Sequence, residues 1–247
     1  FETKTAAGYE SGMDDSPMYI GVPFNKKKHT LELQDVGLTS LYIADCRALA
    51  EMAGILKRKK EQKELETRAK QYTLKMEELW SPEFGAYLNY RTDVDSLSTR
   101  VSPTLFYPLM AKVGNDEKNE IIMEHFYNPE EFYGEWMLPS TTRNDPTFAR
   151  QRYWKGAIWP PLNFLTYLSL RQAGYTDAAT ELSEKSLKLI MTEWTRKGYV
   201  SENYSAITGT GDDSRLSSDR FHSWGALFGI MTFIENGYLP QIESPME

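Results

Sequence analysis

The chain has little of what metal, redox or phosphate chemistry requires. It contains a single cysteine, Cys46, so an intrachain disulfide is excluded and this residue is predicted to be a small buried apolar group. No glycine-rich phosphate loop follows a strand pattern, and no serine occupies a nucleophile elbow. The three histidines lie far apart, without zinc-ligand spacing: His29, His125 and His222. The sequence therefore predicts no metal of the zinc type and no cofactor.

A basic stripe and a long apolar run are also missing. The net charge is −7 and the pI is near 5.2, and the lysine-rich runs at 26–28 and 57–60 are typical of solvated corners. This charge balance argues against nucleic acid or an anionic membrane as a partner. No stretch approaches the length of a membrane span and no signal peptide is visible in the given sequence. We therefore expect a soluble chain, and its cellular compartment is not predicted.

Apolar periodicity predicts about seven helices, and hence an all-α protein. One face of the first helix is marked by Leu38, Cys46, Leu49 and Met52, and Asn115 and Thr176 are predicted helix N-caps. Residues 84–90 alternate like a short strand. The predicted helices cover approximately 38–53, 65–79, 103–110, 115–126, 157–173, 176–194 and 223–235.

Three long segments between these helices are rich in acidic and aromatic residues and glycine: 1–37, 128–156 and 199–222. Loops longer than about 12 residues are uncommon unless they are functional. In a ring of paired helices alternate junctions fall at the same end, so these three segments could meet at one mouth. No repeat of fixed period is present, which disfavours a solenoid. Asp212 and Asp213 are either calcium ligands or part of a surface turn, and the turn is the favoured interpretation.

The first segment gathers three carboxylates, Glu10, Asp14 and Asp15, within six residues beside aromatic rings. The other two segments supply the run 153–163, Tyr-Trp-Lys-Gly-Ala-Ile-Trp-Pro-Pro-Leu-Asn, and then Glu202. Glycoside hydrolysis needs one acid that protonates the leaving oxygen and a second carboxylate that acts as base or nucleophile, and aromatic faces hold sugar rings. The alternative for each acid is a structural role without catalysis, in a surface turn or as a helix cap.

Three blocks in this order resemble the catalytic domain of glycoside hydrolase family 63: residues 10–17, 153–163 and 202–209. Family 37 trehalases are similar in the first and third blocks. The resemblance implies an (α/α)6 barrel, inversion at the anomeric carbon, Asp14 as general acid and Glu202 as general base. It also implies a set of substrate-binding residues: Glu10, Asp15, Tyr153, Trp154, Lys155, Trp159 and Asn163. Trp136 and Trp224 are weaker candidates.

Two departures from the family pattern stand out. Lys155 occupies a position where arginine is common, which puts the identity of the substrate in doubt because lysine lacks the planar fork of arginine. The barrel needs twelve helices and about seven are predicted. We therefore expect residues 1–247 to form one catalytic domain that lacks its N-terminal helices, with a second polypeptide or further segment completing the barrel.

The leading hypothesis is an inverting, exo-acting α-glycosidase, most simply an α-glucosidase, with an oligosaccharide or small glycoside as substrate. Hydrolysis of glucosylglycerate, mannosylglycerate or trehalose is the alternative within enzymes. Lys155 and Arg143 are the basic candidates for a glycerate carboxylate. A helical-repeat interaction scaffold and an inactive carbohydrate-binding relic remain as alternatives without catalysis.

Overall fold

Helices form most of the regular structure in the computed structural model, which describes residues 3–239. Within that range there are eight α-helices: α1 Lys4–Glu10, α2 Val36–Ile55, α3 Lys59–Glu77, α4 Tyr107–Met110, α5 Asp116–Tyr127, α6 Pro160–Gln172, α7 Thr176–Lys197 and α8 Leu227–Glu235. Short 3-10 turns at Pro103–Phe106 and Ser223–Ala226 lead into α4 and α8. The predicted all-α class is confirmed.

The strands are two residues long and form small antiparallel sheets beside the helices. Strands β1 Phe24–Asn25 and β2 Thr30–Leu31 form one hairpin, and β4 Trp80–Ser81 and β5 Ala86–Tyr87 form another. The third sheet has the order β3 Leu33–Gln34, β6 Tyr90–Arg91 and β7 Ser96–Leu97. The stretch predicted to be extended at 84–90 therefore contributes to two of these sheets.

The helices pack in two rows. Helices α2, α4, α6 and α8 contact one another in that order, α3 packs on α2, and α7 packs on α6 and α8. The main core fills the space between the rows and includes Phe106, Phe126, Tyr167 and Phe228. Within residues 3–239, no helix combines the length and the apolar character needed to cross a bilayer.

Helix α1 falls inside the segment that was expected to be a loop. Thr3 caps it, because its hydroxyl accepts a hydrogen bond from the Ala6 N–H. The helix spans seven residues and buries only Ala6 and Gly8. A helix that buries two small residues leaves no apolar period in the sequence, which is why the expectation failed here.

The predicted buried face of α2 is wrong in part. Cys46 is buried as expected, but Leu38 and Met52 are 46% and 56% exposed. The row that the helix buries keeps Cys46 but omits Leu38, Leu49 and Met52: Val36, Gly37, Ser40, Ile43, Cys46, Ala50 and Ala53. At Gly37 an added Cβ would lie 2.7 Å from the Thr104 side chain, so small residues let the neighbouring turn approach. The small residues of α2 allow close packing against the neighbouring turn, and this contact, rather than the burial of the larger apolar side chains, determines which face of the helix is buried.

Two of the predicted helix starts need correction, and one is confirmed. Asn115 caps α5, since its side chain accepts from the Lys118 N–H. Thr176 is the first residue of α7 rather than its cap; Tyr175 occupies the cap position, and its side chain makes no capping hydrogen bond to the helix. Helix α6 begins at Pro160 rather than near residue 157, because Ile158 forms a β-bridge with Tyr204.

Candidate active site

The structure brings together three segments that are far apart in sequence. The Tyr153 hydroxyl donates a hydrogen bond of 3.2 Å to Asp14 Oδ2, and the Trp154 N–H donates one of 3.2 Å to Asp15. Ile158 and Tyr204 exchange two backbone hydrogen bonds, of 2.7 and 3.0 Å. The first pair of contacts joins the acidic turn to the aromatic run, and the second joins that run to the segment that carries Glu202.

Asp14 lies in a tight turn directly after α1. The Ser11 hydroxyl donates to the Gly8 carbonyl at 2.6 Å and accepts from the Met13 N–H at 3.1 Å, so this side chain closes the end of the helix. The turn then packs against the helix, and a Cβ added at Gly8 would lie 2.6 Å from the Asp14 carbonyl oxygen. The turn that carries Asp14 can lie this close to α1 because residue 8 has no side chain.

Tyr153 connects the two nominated carboxyls electrostatically. Burial raises the pKa of its phenol, and the negative charges of Asp14 and Glu202 raise it further. The phenol therefore remains protonated and can act as a donor to Asp14 throughout the physiological pH range. The backbone of Tyr153 has φ = +54°, a conformation that is costly for a bulky residue and that tends to occur at functional sites.

Two tryptophans form a stacked platform beside Tyr153. The rings of Trp154 and Trp159 lie 3.9 Å apart at 4°, and the Trp159 indole N–H donates to the Tyr153 carbonyl at 3.0 Å. Trp224 meets Trp159 edge-on at 5.8 Å. Trp154 is 3% exposed and Trp159 is fully buried. Both rings thus support Tyr153 by packing, and their contact with a sugar ring stays a prediction.

Glu202 is nearly buried, with 9% of its surface exposed. Its backbone N–H donates to the Asp219 carbonyl at 2.8 Å. Burial raises the pKa of its carboxyl; the Asp219 backbone N–H and His222 oppose the rise, whereas the charges of Asp219 and Asp14 add to it. A carboxyl in such an environment exchanges its proton closer to neutral pH than an exposed one does, as acid–base catalysis requires.

A cavity of about 670 Å³ opens beside Asp14, a size typical of small-ligand sites. Of the nominated residues, Asp14, Asp15, Tyr153 and Lys155 line it. The rest of its wall comes mainly from α1 and the following turn, with Arg152 and Ser217 from the other two segments: Lys4, Thr5, Gly8, Tyr9, Ser16, Tyr19, Ile20, Arg152 and Ser217. The proposed acid and its aromatic partner therefore face space that a glycoside could enter.

Three other candidates do not line this cavity, and Lys155, which does, is already paired. Glu10 lies on the exposed end of α1. Asn163 is fully buried, and its amide bonds the backbone of Leu138 and of Trp159, which is bracing rather than presentation to a ligand. Lys155 forms an ion pair with Asp15. Arg143 donates to backbone carbonyls, at 2.9 Å to Tyr133 and at 2.6 Å to Trp136, so its guanidinium holds the loop.

Comparison with known proteins shows the relationship. A family model described as a mannosylglycerate hydrolase MGH1-like glycoside hydrolase domain matches residues 4–224. The chain belongs to this family of glycoside hydrolase domains. The resemblance of the three blocks to glycoside hydrolase family 63 is thereby confirmed.

Individual relatives agree with this assignment. The chain is 30% identical over 128 residues to the mannosyl-oligosaccharide glucosidase of Saccharomyces cerevisiae, a match that covers 46% of this chain and 15% of the relative. It is 27% identical over 190 residues to the mannosylglycerate hydrolase of Rubrobacter radiotolerans, covering 75% of this chain and 41% of that one. The chain thus spans less than half the length of these curated relatives.

The fold is shared with a solved family member. The crystal structure of a mannosylglycerate hydrolase of family 63 from Thermus thermophilus, in complex with glucose, superposes with a TM-score of 0.75 at 22% identity. The superposition covers 91% of this chain and 60% of that one. The double row of helices described above is therefore part of a helical toroid, as the resemblance to family 63 implies.

Several residues around the site were not nominated from the sequence. Gln151 is fully buried; its side chain accepts from the Ala206 N–H at 2.7 Å and donates to the Phe148 carbonyl at 2.8 Å, so it ties two of the segments together. Arg152 lines the cavity, and His222 lies 3.8 Å from Glu202. Of these three, only Arg152 could have been nominated from the sequence, because it lies next to the aromatic run. An isolated glutamine such as Gln151 or histidine such as His222 gives no sequence pattern that indicates a site.

No metal centre is built by the side chains of residues 3–239: there is no group of three or more His, Cys, Asp or Glu residues that could hold an ion. Asp212 instead pairs with Arg196 and Lys197, at 3.2 and 2.5 Å. Asp213 pairs with Arg215 at 2.6 Å. In the described chain Asp212 therefore joins the loop to the end of α7, and Asp213 is paired within the loop.

Proposed function

We propose that this protein is an inverting glycoside hydrolase that removes a terminal α-linked sugar, with Asp14 as general acid and Glu202 as general base. The observation that carries the proposal is the position of Tyr153. Its hydroxyl is bonded to Asp14, it lies in the electrostatic field of both carboxyls, and it lines the cavity. Two acids that act on one aromatic side chain at the wall of a cavity fit the two-carboxylate requirement of glycosidases.

The proposed reaction proceeds in one displacement. Asp14 donates its proton to the glycosidic oxygen as the bond between that oxygen and the anomeric carbon breaks. A water molecule attacks the anomeric carbon from the opposite face, and Glu202 takes the proton that this water loses. The configuration is inverted, and the mechanism needs a separation of about 6.5–9.5 Å between the two carboxyls to accommodate the water.

An α-glucoside is the first substrate to test, and a glycoside of glycerate is the second. The second is supported by the cationic side chains that line the cavity, Lys4, Arg152 and Lys155. Lys155 is already paired with Asp15, and the Lys4 ammonium donates to the Tyr19 carbonyl at 2.7 Å. Arg152 is exposed, and its guanidinium suits a carboxylate. Arg152→Gln should raise KM for glucosylglycerate and mannosylglycerate while leaving KM for neutral glucosides, including trehalose, unchanged.

The decisive experiment is a screen of α-linked disaccharides and glycerate glycosides, with the anomeric form of the released sugar followed by NMR. We expect the β-anomer to appear first. Asp14→Asn and Glu202→Gln should each abolish turnover without changing the circular dichroism spectrum. Two exposed helix acids serve as controls, Asp45→Asn and Glu184→Gln. Retention of configuration, or full activity in either active-site variant, would contradict the proposal.

We also propose that residues 1–247 form one domain whose barrel is completed by a further segment or a second polypeptide; residues 1–2 and 240–247 lie outside the described part. Support comes from the apolar side chains that α2 exposes: Leu49, Met52 and Ile55 are 41%, 56% and 74% exposed. A fluorophore attached at Met52→Cys should report a buried, apolar environment in the complete protein. An emission spectrum typical of full exposure to water would contradict this.

A further inference from the structure

His222 lies between the nominated base and the aromatic platform. Its Nε2 atom is 3.8 Å from Glu202 Oε1. The imidazole ring packs on Trp224 with 4.5 Å between the ring centroids, and Trp224 in turn meets Trp159 edge-on. Nδ1 of the same imidazole is buried and has no hydrogen-bond partner among residues 3–239. The imidazole therefore contacts both Glu202 and the aromatic group that adjoins the platform.

The backbone also holds His222 beside Glu202. Ser201 and Arg220 form an antiparallel β-bridge, and the Phe221 N–H donates to the Val200 carbonyl at 2.8 Å. Residues 200–201, which precede Glu202, are thus paired with residues 220–221, which precede His222. This pairing places His222 close to Glu202. A Cβ added at Gly225 would lie 2.8 Å from the Ser201 carbonyl oxygen, which shows how closely the next turn packs against the same strand.

The other groups that face Glu202 do not supply positive charge. Oε2 accepts two long hydrogen bonds, both of 3.4 Å, from the Asp219 N–H and from Asn203 Nδ2. The charged neighbours that act on this carboxyl are Asp219 and Asp14, both negative, and His222. Among the groups identified around Glu202 in the described chain, the imidazole is thus the one that can carry a positive charge.

We propose that His222 is a positioning residue that orients the Glu202 carboxylate and, by placing a positive charge beside Oε1, favours the ionised form that a general base needs. The inference rests on the proposed role of Glu202. His222 does not touch the substrate in this scheme; it acts through Glu202.

The first test uses the pH dependence of kcat/KM, whose acidic limb reports ionisation of the base in the free enzyme. His222→Gln removes the positive charge, so the pKa of Glu202 should rise and the acidic limb should move to higher pH by about 0.5–1 unit. His222→Lys retains a positive charge and should keep the limb near its original position. His29→Gln, a change at an exposed histidine, is the matched control and should leave the profile unchanged.

The second test needs neither substrate nor a histidine variant that folds. The chain has three histidines, so their ring protons can be followed individually by NMR during a pH titration. Because coupling between two charges is reciprocal, Glu202→Gln should displace the titration curve of the His222 signals toward lower pH while the His29 and His125 curves stay in place.

The outcomes separate this inference from the proposed function. If Glu202→Gln keeps wild-type turnover, the proposed role of Glu202 fails, and the role of His222 fails with it. If Glu202→Gln is inactive but the acidic limb in His222→Gln and the titration curve in Glu202→Gln both stay where they were, only the inference about His222 is overturned. Reduced activity of His222→Gln at every pH with an unmoved limb would indicate a purely structural residue and would also overturn it.

Discussion

Gly8 packs against the backbone of Asp14 so closely that a Cβ at residue 8 would lie 2.6 Å from the Asp14 carbonyl oxygen. Because the obstructing atom belongs to the backbone, it cannot rotate away as a flexible side chain could. The position of the nominated acid thus depends on a residue that carries no side chain and lies six positions earlier in the chain.

Gly8→Ala should therefore reduce activity. The added methyl group would push the turn that carries Asp14 away from α1, and misplacement of a catalytic group by about 1 Å costs on the order of 100-fold in rate. The measurement is kcat with the substrate that the screen identifies. Gly229→Ala in α8 is the matched control, because a Cβ there meets nothing within 4 Å. That variant should stay fully active and be more stable by about 0.5–1 kcal/mol. Wild-type kcat in Gly8→Ala would refute the argument.

Tyr153→Phe tests the hydrogen bond to Asp14. Removing the hydroxyl takes away one donor to a carboxylate, and such a bond contributes about 1.5–3 kcal/mol. We expect kcat/KM to fall about 10- to 100-fold, with the stacked tryptophans and the fold retained. The control is Tyr175→Phe, which removes a hydrogen bond of 2.9 Å to Glu120 on the surface. Equal activity of the two variants would show that the bond to Asp14 has no part in the reaction.

The way the site is assembled explains what the sequence could predict. Residue types and their order identified the three blocks, and with them Asp14, Tyr153 and Glu202. The sequence could not show that Tyr153 bonds Asp14, a contact across 139 positions, nor that Tyr204 pairs with Ile158. Such long-range pairing depends on how the helices pack, and it leaves no local pattern in the chain.

The errors in the fold have a similar origin. Apolar periodicity located every helix longer than eight residues, but on α2 it selected exposed residues such as Leu38 and Met52 in place of Gly37, Ser40 and Ala50, which form the contact. Small residues contribute little to an apolar pattern and yet allow the closest packing. Helix α1 was missed because it buries only Ala6 and Gly8. Gln151, which braces two loops from a fully buried position, belongs to a residue type that is usually exposed.

Glu193 on α7 anchors the loop that follows Glu202. Its buried carboxylate accepts from the Gly211 N–H at 3.0 Å and from Arg196 at 2.7 Å, and it pairs with Lys197. Burial alone would raise the pKa of Glu193, but these partners outweigh burial and hold its pKa below the usual range.

Glu193→Gln should therefore destabilise the protein. Removing one member of a buried ion pair costs about 3–5 kcal/mol, and because Lys197 retains Asp212 as a partner we expect about 2–4 kcal/mol. Since the folded-state pKa is depressed, the stabilisation is present above the ordinary carboxyl pKa and is lost as pH falls through the folded-state value. Urea unfolding at pH 7 and at acidic pH measures both effects. Glu184→Gln, on the exposed side of the same helix, should have no measurable effect.

The ionisation of Glu202 affects stability in the opposite direction to that of Glu193, so the nominated base should lower the stability of the folded protein by a measurable amount. Its pKa is raised in the folded state, chiefly by burial. Below the ordinary carboxyl pKa of 4.5 the group is protonated in both states and costs nothing. As pH rises toward and through the folded-state value, the unfolded chain releases the proton more readily, and the folded state loses relative stability.

Glu202→Gln should consequently melt at a higher temperature than the wild type at pH 7, although we expect it to be inactive. We expect a gain of about 2–4 °C, which corresponds to about 1 kcal/mol in a domain of this size. The gain should disappear when the melts are repeated near pH 4. Glu181→Gln is the control of opposite sign: burial would raise the pKa of Glu181, but bonds from Tyr133 and Lys185 lower it overall, so this variant should be less stable at pH 7. A Glu202→Gln variant that melts below the wild type at neutral pH would show that the buried carboxylate is stabilised by its neighbours, contrary to the environment described here.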